Sequence, residues 1–317
     1  MLASINHKYS VPQINDTCVV MCFFSPMEYK KPIENLKYNI RRLKDAKIPY
    51  VLIELLYPDQ NQKIEDSIVV KSNSVLFSKE NLWNLAANKY VPENYSKIIF
   101  LDSDIIFDTK NWFDLTSILL DTNDIVQPFQ YAYRNIFVNN ILDINQEYII
   151  DFDINDFTIC KKPITKAIRN GDKICLGRYE PGFAIGMTRQ FFSNINGFFE
   201  YAITGSNDIM FWLSFTDFQA NEPKKLLSMM PSVAKAHDEY KNKVIQSVDK
   251  SKINYLENCI GLHLYHGTKA NRFYEDRNKY LPKDIDFYYN SDGVLEIKSN
   301  TDHKDLKQYW VDRKEDE

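Results

Sequence analysis

Residues 97–107, KIIFLDSDIIF, decide the fold class of this chain. The apolar run at the start is rich in β-branched and aromatic side chains, which is typical of a central strand covered on both faces. Asp102 and Asp104 follow directly, and two carboxylates one residue apart repel each other and are costly to desolvate. Because such a pair at a strand end usually needs a cation, the segment predicts a metal site at the edge of a sheet.

Asp-x-Asp triplets begin at three positions, Asp102, Asp151 and Asp284. Chance alone predicts about two such triplets in a chain with this aspartate content. Only the first triplet follows an apolar strand. The position of Asp102 and Asp104 at a strand end, rather than their spacing, therefore marks them as the candidate site.

Strand-like and helix-like segments alternate through the first 130 residues. Alternation of this kind predicts an α/β fold with a mostly parallel sheet and helices on both faces. Ligands of such sheets bind outside the carboxyl ends of the strands, where the Asp pair lies. The predicted strands cover residues 17–24, 50–56, 67–70 and 124–129, and a further strand starts at Lys97. One predicted helix starts at Pro32, and two more cover residues 78–89 and 112–120.

The second half of the chain is less regular. Residues 135–178 mix acidic and apolar side chains without a clear period, and we interpret them as an excursion over the sheet. Residues 231–244 are predicted to form a helix, and residues 283–317 a turn-rich tail. Because no repeat, linker or boundary is evident, we expect one domain.

Charge and cysteine content restrict the partners and the compartment. With 39 basic and 43 acidic residues there is no cationic excess, which argues against a nucleic-acid partner. The N-terminus lacks a signal-peptide pattern, and no run approaches the roughly 18 apolar residues of a membrane span. The five cysteines are scattered and odd in number, which is typical of reduced thiols. We expect a cytoplasmic protein without a membrane span.

Two glycine-containing segments could complete a site. In EPGFAIGMTR, Gly182 and Gly186 bracket apolar residues, which indicates either close backbone approach to a ligand or a tight strand turn. In GSNDIMFW, Asp208 precedes four apolar residues. Its carboxylate could be a helix N-cap or a general base at the lip of a pocket, and the sequence leaves both interpretations open.

The segment GLHLYHGTKANRFYEDR places His263 and His266 three residues apart, with Gly267 directly after them. A lone histidine in an apolar run is usually a core residue, but two of the five histidines beside a glycine and several cations favour a site. Imidazole is a reasonable partner for carboxylates on Mn²⁺, and Lys or Arg suits a diphosphate. The segment thus predicts a metal bound by two Asp and one His, facing a phosphate clamp. The cations are Lys269, Arg272 and Arg277.

Taken in order, these segments resemble the metal-dependent GT-A glycosyltransferases, and most closely a branch seen in bacteria, phages and large viruses. The segments GFAIGMTR, GSNDIMFW, HLYHGTKANRFY and RKED are similar to that branch's GFAWAxRR, GSGDxxMA, HLWHGxxxxRxY and R-x-ED. VVMCFFSPMEYKK, SKENLWNLA and DIVQPF also resemble its N-terminal half, so the similarity spans nearly the whole chain. Five residues differ from that branch's motifs and are expected to reshape the acceptor or sugar pocket: Ile185, Gly186, Asn207, Phe211 and Trp212.

The resemblance implies a GT-A fold in a single domain, residues 1–317. Residues 1–130 would form the nucleotide-sugar-binding half, and residues 131–317 the acceptor-side half with the C-terminal tail. The implied reaction moves a sugar from a nucleotide-sugar donor, UDP- or GDP-linked, to a hydroxyl of a glycan or glycoprotein. A viral chain of this branch is expected in the host cytoplasm or the virion.

The resemblance also implies roles for individual residues. Asp104 would bind Mn²⁺ directly, with Mg²⁺ as the alternative ion. Asp102 would hold the metal through water or the donor ribose. His266 would complete the metal ligands, whereas His263 is expected to be a strand residue facing the core. Asp208 would deprotonate the acceptor hydroxyl and give inversion. The other implied donor contacts are Lys79, Ser103, Gly182, Lys269 and Arg272.

Three alternatives remain open at this point. The transferase could retain the anomeric configuration, because base geometry is not visible in a sequence. A haloacid-dehalogenase-type phosphatase would use Asp102 as nucleophile and Asp104 as general acid, but it usually has Thr or Val where this chain has Ile106. A carbohydrate-binding protein could also keep a GT-A shape without turnover.

Overall fold

The computed structural model describes residues 16–136, 160–172, 174–216, 230–268, 270–272, 277–281, 285–298 and 304–317. Its strands are β1 (Thr17–Phe24), β2 (Tyr50–Leu56), β3 (Ile68–Lys71), β4 (Lys97–Leu101), β5 (Ile105–Phe107), β6 (Ile125–Gln127), β7 (Tyr131–Ile136), β8 (Cys160–Pro163), β9 (Tyr179–Glu180), β10 (Ala184–Thr188), β11 (Ile253–Tyr255), β12 (Ile260–Leu264), β13 (Phe287–Tyr289) and β14 (Leu295–Ile297). Its helices are α1 (Lys30–Asp45), α2 (Lys79–Lys89), α3 (Trp112–Leu120), α4 (Ile164–Asn170), α5 (Arg189–Asn194), α6 (Asn207–Leu213), α7 (Pro231–Ser247) and α8 (Lys304–Asp312). Short 3₁₀ turns cover Lys250–Lys252, Ala270–Arg272 and Arg277–Tyr280.

The largest sheet has seven strands in the order β11-β6-β10-β4-β1-β2-β3. Every neighbouring pair is parallel except those of β10, which runs antiparallel to both β4 and β6. The predicted α/β fold with a mostly parallel sheet is therefore confirmed. In the β10–β4 register Ala184 lies opposite Leu101, so the residues just before β10 lie beside the Asp pair.

Both faces of this sheet are covered by helices, as predicted. Alternate residues of β1 belong to two different apolar clusters, because successive side chains of a strand point to opposite faces. Val20 lies in the cluster that contains Leu82 and Trp83 of α2. Met21 lies in the cluster that contains Leu36 of α1 and Trp112 of α3. None of the helices in the described ranges combines the length and apolar character that crossing a bilayer requires.

A second sheet, in the order β5-β12-β7-β8-β9, meets the first at the Asp pair. The Asp102-Ser103-Asp104 turn connects β4 of one sheet to β5 of the other. In the antiparallel β12–β5 pairing, His263 lies opposite Ile105. The carboxyl end of β4 and the carboxyl end of β12 therefore meet, and they bring residues far apart in sequence to one place.

Two segments differ from their sequence predictions, and a third is longer than predicted. The tail from 283 is not merely turn-rich, because it contains the β13–β14 hairpin and α8, whose Trp310 donates from Nε1 to the Val75 carbonyl at 2.8 Å. The segment 135–178 contributes β8 and α4 to the fold, and residues 137–159 lie outside the described residues. The predicted helix 231–244 is confirmed and extends to Ser247.

All five cysteines lie within the described residues and are free thiols. Cys18 and Cys22 are buried in β1, as expected for strand cysteines. Burial raises the pKa of the Cys18 thiol to about 12, because the thiolate loses its hydration. Neither thiol is therefore a reactive group.

Candidate metal and donor site

The turn that carries the Asp pair is held in place by Asn39, a buried residue of α1. Its Nδ2 donates to the carbonyl of Ile105 at 2.7 Å, and lies 3.5 and 3.4 Å from the carbonyls of Asp102 and Ser103. The Leu264 amide donates to the Asp104 carbonyl at 2.8 Å. Because hydrogen bonds from α1 and β12 hold the backbone of this turn, the Cα positions from which the two carboxylate side chains extend are fixed.

Asp104, His263 and His266 form a compact cluster, with one donor atom of each residue within 4.8 Å of the others. His266 Nε2 lies 2.6 Å from Asp104 Oδ2, and His263 Nε2 lies 3.4 Å from the same oxygen. The two imidazole rings stack, with centroids 5.1 Å apart. His263 was expected to be a strand residue facing the core; its buried ring lies 5.8 Å from that of Phe183 and is also part of this cluster. Its strand neighbours Leu262 and Leu264 pack into the apolar cluster with Ile106, which leaves the opposite face of β12 to His263.

Asp102 pairs with Lys79 at the start of α2. Lys79 Nζ lies 2.9 Å from Asp102 Oδ1, and the Phe183 amide donates to Asp102 Oδ2 at 3.2 Å. The pKa of Asp102 is nevertheless raised to about 6, because burial, together with the nearby carboxylates of Asp104 and Asp208, outweighs the effect of Lys79. The site therefore holds more negative charge than Lys79 neutralises, which favours the binding of a further cation.

Gly182 lies among three carboxylates. A Cβ at this position would be 3.0 Å from Asp208 Oδ2, 3.6 Å from Asp102 Oδ2 and 3.7 Å from Glu180 Oε1. Any side chain would push against these oxygens, so the glycine keeps the space open. Gly186 has a different role, because a Cβ there would meet Thr116 and Leu120 of α3 at 3.2 and 3.1 Å. Of the two glycines singled out in the sequence, only Gly182 lies at the site.

Asp208 is not an N-cap, because Ser206 occupies that position of α6 and Asp208 lies within the first turn. Its Oδ1 accepts from the Ile209 amide at 2.8 Å, while Oδ2 is the oxygen nearest to Gly182. Trp212, one turn later, donates from Nε1 to the Pro181 carbonyl at 2.8 Å and ties α6 to the Gly182 loop. One carboxylate oxygen thus serves the helix, and the other faces the site.

Glu180 is a site residue that the sequence reasoning missed. It is fully buried and bonded by Arg134, whose Nε and Nη2 donate to its two oxygens at 3.0 and 2.6 Å, and Lys161 lies 3.7 Å away. Burial opposes ionisation, but Arg134 and Lys161 outweigh it and hold the pKa of Glu180 below its usual value. Its position directly before Pro181-Gly182 was the signal in the sequence that could have identified Glu180 as a site residue.

Glu80 was also missed, and it connects α2 to α6 through Asn207, which the sequence singled out only as a pocket residue. Asn207 Nδ2 donates to Glu80 Oε2 at 3.1 Å, and its Oδ1 accepts from the Ala202 amide at 2.8 Å. The pKa of Glu80 is raised to about 7, because burial, together with the charges of Asp208 and Asp102, outweighs the effect of Lys79. Lys79 is adjacent to Glu80, and Asp208 is adjacent to Asn207. The contact therefore fixes Lys79 and Asp208 relative to each other.

A Glu80→Gln variant should be more stable than the parent protein at alkaline pH. A folded-state pKa above the unfolded value means that the stability from protonated Glu80 is fully present below about pH 4.5 and is lost as pH rises through about 7. The shift corresponds to about 3 kcal/mol. Chemical denaturation at about pH 5, 6, 7 and 8 should show the advantage of Glu80→Gln growing with pH. An advantage that is constant with pH, or equal in the exposed control Glu93→Gln, would contradict this account.

The remaining residues named from the sequence have different positions. Lys269 lies outside the described residues, and for Arg272 the structure describes the backbone, within a 3₁₀ turn. Ser103 lies in the turn between the two aspartates. Three of the residues expected to reshape a pocket are buried in the core: Ile185, Phe211 and Trp212. Trp212 also reaches the Gly182 loop through its bond to the Pro181 carbonyl.

No protein-family model matches the sequence, and no curated protein matches it significantly. Among solved structures, the chain is similar to the catalytic domain of Drosophila β1,4-galactosyltransferase 7 in complex with xylobiose, with 12% identity and a TM-score of 0.33. That match covers 64% of this chain and 62% of the other, so it spans less than two thirds of the galactosyltransferase domain.

Two further similar structures are sugar-phosphoglycerate synthases. Mannosyl-3-phosphoglycerate synthase from Rubrobacter xylanophilus matches over 89% of this chain and 83% of its own, with 8% identity and a TM-score of 0.40. Glucosyl-3-phosphoglycerate synthase from Mycobacterium tuberculosis, in complex with Mn²⁺, UDP-glucose and phosphoglyceric acid, matches over 63% and 65%, with 14% identity and a TM-score of 0.31.

Proposed function

We propose that this protein is a GT-A-type glycosyltransferase that uses Mn²⁺ to move a sugar from a nucleoside diphosphate sugar to an acceptor hydroxyl. The observation that carries the proposal is the Asp104, His263 and His266 cluster, at the meeting point of the carboxyl ends of β4 and β12. Lys79, which pairs with Asp102, and Asp208, whose Oδ2 lies beside Gly182, border the same space. A cation site, a fixed ammonium group and a separate carboxylate are the parts that such a transfer requires.

The donor atoms of the cluster fit a divalent transition-metal ion. One carboxylate oxygen and two imidazole nitrogens can converge on one ion, and nitrogen ligands suit Mn²⁺ better than Mg²⁺, which prefers oxygen. When bound, the ion would neutralise the negative charge that develops on the leaving diphosphate. The negative charge around Asp102, which Lys79 does not fully neutralise, is consistent with a bound cation.

The chain's own residues would perform the remaining steps. Lys79, held by Asp102 and positioned by α2, would pair with a phosphate oxygen of the donor. Gly182 leaves room for the reacting sugar next to Asp208. Asp208 Oδ2, the oxygen not bonded to its own helix, would accept the proton of the acceptor hydroxyl as that oxygen attacks the anomeric carbon. Attack from the face opposite the leaving group gives inversion.

A panel of donors tests this proposal directly. The full chain is incubated with UDP-, GDP-, CMP- and dTDP-sugars and Mn²⁺, and released nucleotide is measured with and without EDTA. We expect slow hydrolysis of one donor class that stops in EDTA, and a rise in melting temperature with the same donor, since ligand at 100 times its Kd stabilises by about 2.7 kcal/mol. Phosphomonoester hydrolysis would indicate the phosphatase alternative, and sugar binding without turnover would indicate a carbohydrate-binding protein.

Both cluster histidines should contribute to Mn²⁺ binding. His263→Ala and His266→Ala each remove one imidazole nitrogen, so each should weaken Mn²⁺ affinity by at least about 10-fold. The matched control is His237→Ala, because His237 is equally buried but bonds to the Met210 carbonyl and Ser214, away from the cluster. This control should lower the melting temperature without changing Mn²⁺ affinity. Unchanged Mn²⁺ binding in His263→Ala would return His263 to a core role.

A further inference from the structure

The C-terminal residues 313–316, the RKED segment, lie directly against the proposed metal site. Gly267, which follows His266, has a φ of 89°. A Cβ at Gly267 would lie 3.0 Å from Glu315 Cα and 3.3 Å from the Lys314 carbonyl. Both the backbone conformation and the contact favour glycine, because the tail and the His266 segment meet backbone to backbone.

Glu315 brings a buried carboxylate to the far side of the His266 ring. Its Oε1 lies 3.9 Å from His266 Nδ1, while His266 Nε2 lies 2.6 Å from Asp104. Arg313 donates from Nε to the same Glu315 oxygen at 2.7 Å, and its guanidinium lies 4.9 Å from the centre of the Trp310 ring. The imidazole therefore lies between two carboxylates, one of which is fixed by a buried arginine.

The tail is attached to the rest of the site at two further points. Asp316 accepts from the backbone amides of Lys30 and Lys31, the first residues of α1, at 3.1 and 2.8 Å. Tyr309 of α8 donates to the Thr204 carbonyl at 3.0 Å, in the loop that leads to α6 and Asp208. An acid at a helix N-terminus and a buried hydroxyl bond both stabilise this docking.

We infer that Glu315 is a positioning residue for His266, and that the C-terminal segment is thereby a working part of the metal site. The inference rests on the proposed metal-dependent function. A carboxylate beside Nδ1 favours the tautomer that carries its proton there, which leaves the Nε2 lone pair facing Asp104. It also restricts rotation of the ring. Loss of such an outer partner typically costs 10- to 100-fold in metal affinity.

Mn²⁺ binding to the nucleotide-free full chain, measured by electron paramagnetic resonance, tests the inference without requiring activity. Glu315→Gln should bind Mn²⁺ about 10-fold or more weakly than the parent protein, because the amide keeps the size but loses the charge. Glu315→Asp keeps the charge and should recover part of the affinity. Asp316→Asn is the matched control, since it weakens docking of the same tail onto α1 without touching His266. Its Mn²⁺ affinity should be unchanged even where its melting temperature falls.

The outcomes separate this inference from the proposed function. If the parent protein and Glu315→Gln bind Mn²⁺ equally well, the positioning role is wrong while the metal site stands. If Asp316→Asn loses as much affinity as Glu315→Gln, tail docking rather than the Glu315 carboxylate controls the site, and the inference is again overturned. If the parent protein binds no Mn²⁺, the proposed function itself fails. If Glu315→Gln does not fold, Glu315→Asp decides. This variant keeps the charge but moves the carboxylate, so a Mn²⁺ affinity equal to that of Asp316→Asn would contradict the positioning role.

Discussion

Replacing Asp104 with Asn should abolish Mn²⁺ binding and reduce donor turnover by about 10³-fold or more. Asp104 is the carboxylate that both imidazoles of the cluster approach, so the change removes the only formal negative charge among the three donor groups. A metal ion at a leaving diphosphate supplies several kcal/mol of transition-state stabilisation, and each 1.4 kcal/mol corresponds to about a factor of ten. The measurement is nucleotide release at saturating donor, together with Mn²⁺ titration of the free protein.

The chain offers a control for this variant in another Asp-x-Asp triplet. Asp286 belongs to the triplet that begins at Asp284, and in the structure it forms an exposed ion pair with Lys298. Asp286→Asn should therefore leave Mn²⁺ binding, turnover and melting temperature nearly unchanged, because exposed ion pairs contribute little to stability. Full activity of Asp104→Asn, or full activity of the parent protein in EDTA, would remove the metal from the mechanism.

The position of the Asp pair could be predicted because its signal is local. A run of apolar residues fixes β4, and the residues that follow a buried parallel strand must emerge at the edge of the sheet. The bonds that hold the pair could not be predicted in the same way. Asn39 reaches the turn from α1, and only packing of that helix against the sheet brings its amide to the Ile105 carbonyl.

The buried strand position of His263 could be predicted, whereas its place beside Asp104 and His266 could not. Leu262, His263 and Leu264 alternate along a strand, so the two leucines share one face and the histidine points to the other. The ring of His263 is buried and lies 5.8 Å from the ring of Phe183, a core residue, on the face opposite the two leucines. The period of two puts His263 on that face, although which residues lie on that side depends on the pairing of β12 with β5.

The contributions of Glu80, Glu180 and Glu315 depend on long-range contacts, and a single sequence gives them little signal. Each is a buried acid with a cation or an amide as its partner, and a buried charge persists only when such partners are in place. Those partners come from other elements or from a tail predicted to be only turns. The sequence indicated that acids are present near the site, but only the fold shows which cations and amides hold them.

Asp208→Asn should leave donor binding and folding nearly intact while transfer to the acceptor falls by about 10² to 10⁴, the usual contribution of a general base. Asn can still accept the Ile209 amide through its own oxygen, so the helix keeps that bond, and the lost charge in the first turn of α6 costs only about 0.3 to 1 kcal/mol. Asp114→Asn is the matched control, because Asp114 also lies in the first turn of a helix, α3, away from the site. It should leave transfer unchanged.

The comparison of these two variants separates a base from a helix-stabilising acid. A base is required only for attack by the acceptor, so the ratio of transfer to Mn²⁺-dependent donor binding should fall in Asp208→Asn and stay constant in Asp114→Asn. Near-normal transfer by Asp208→Asn would exclude Asp208 as the base and direct attention to Glu180, another of the carboxylates beside Gly182. A product that retains the anomeric configuration of the donor would contradict the single inverting displacement, because a base at Asp208 Oδ2 serves an acceptor that attacks from the face opposite the diphosphate.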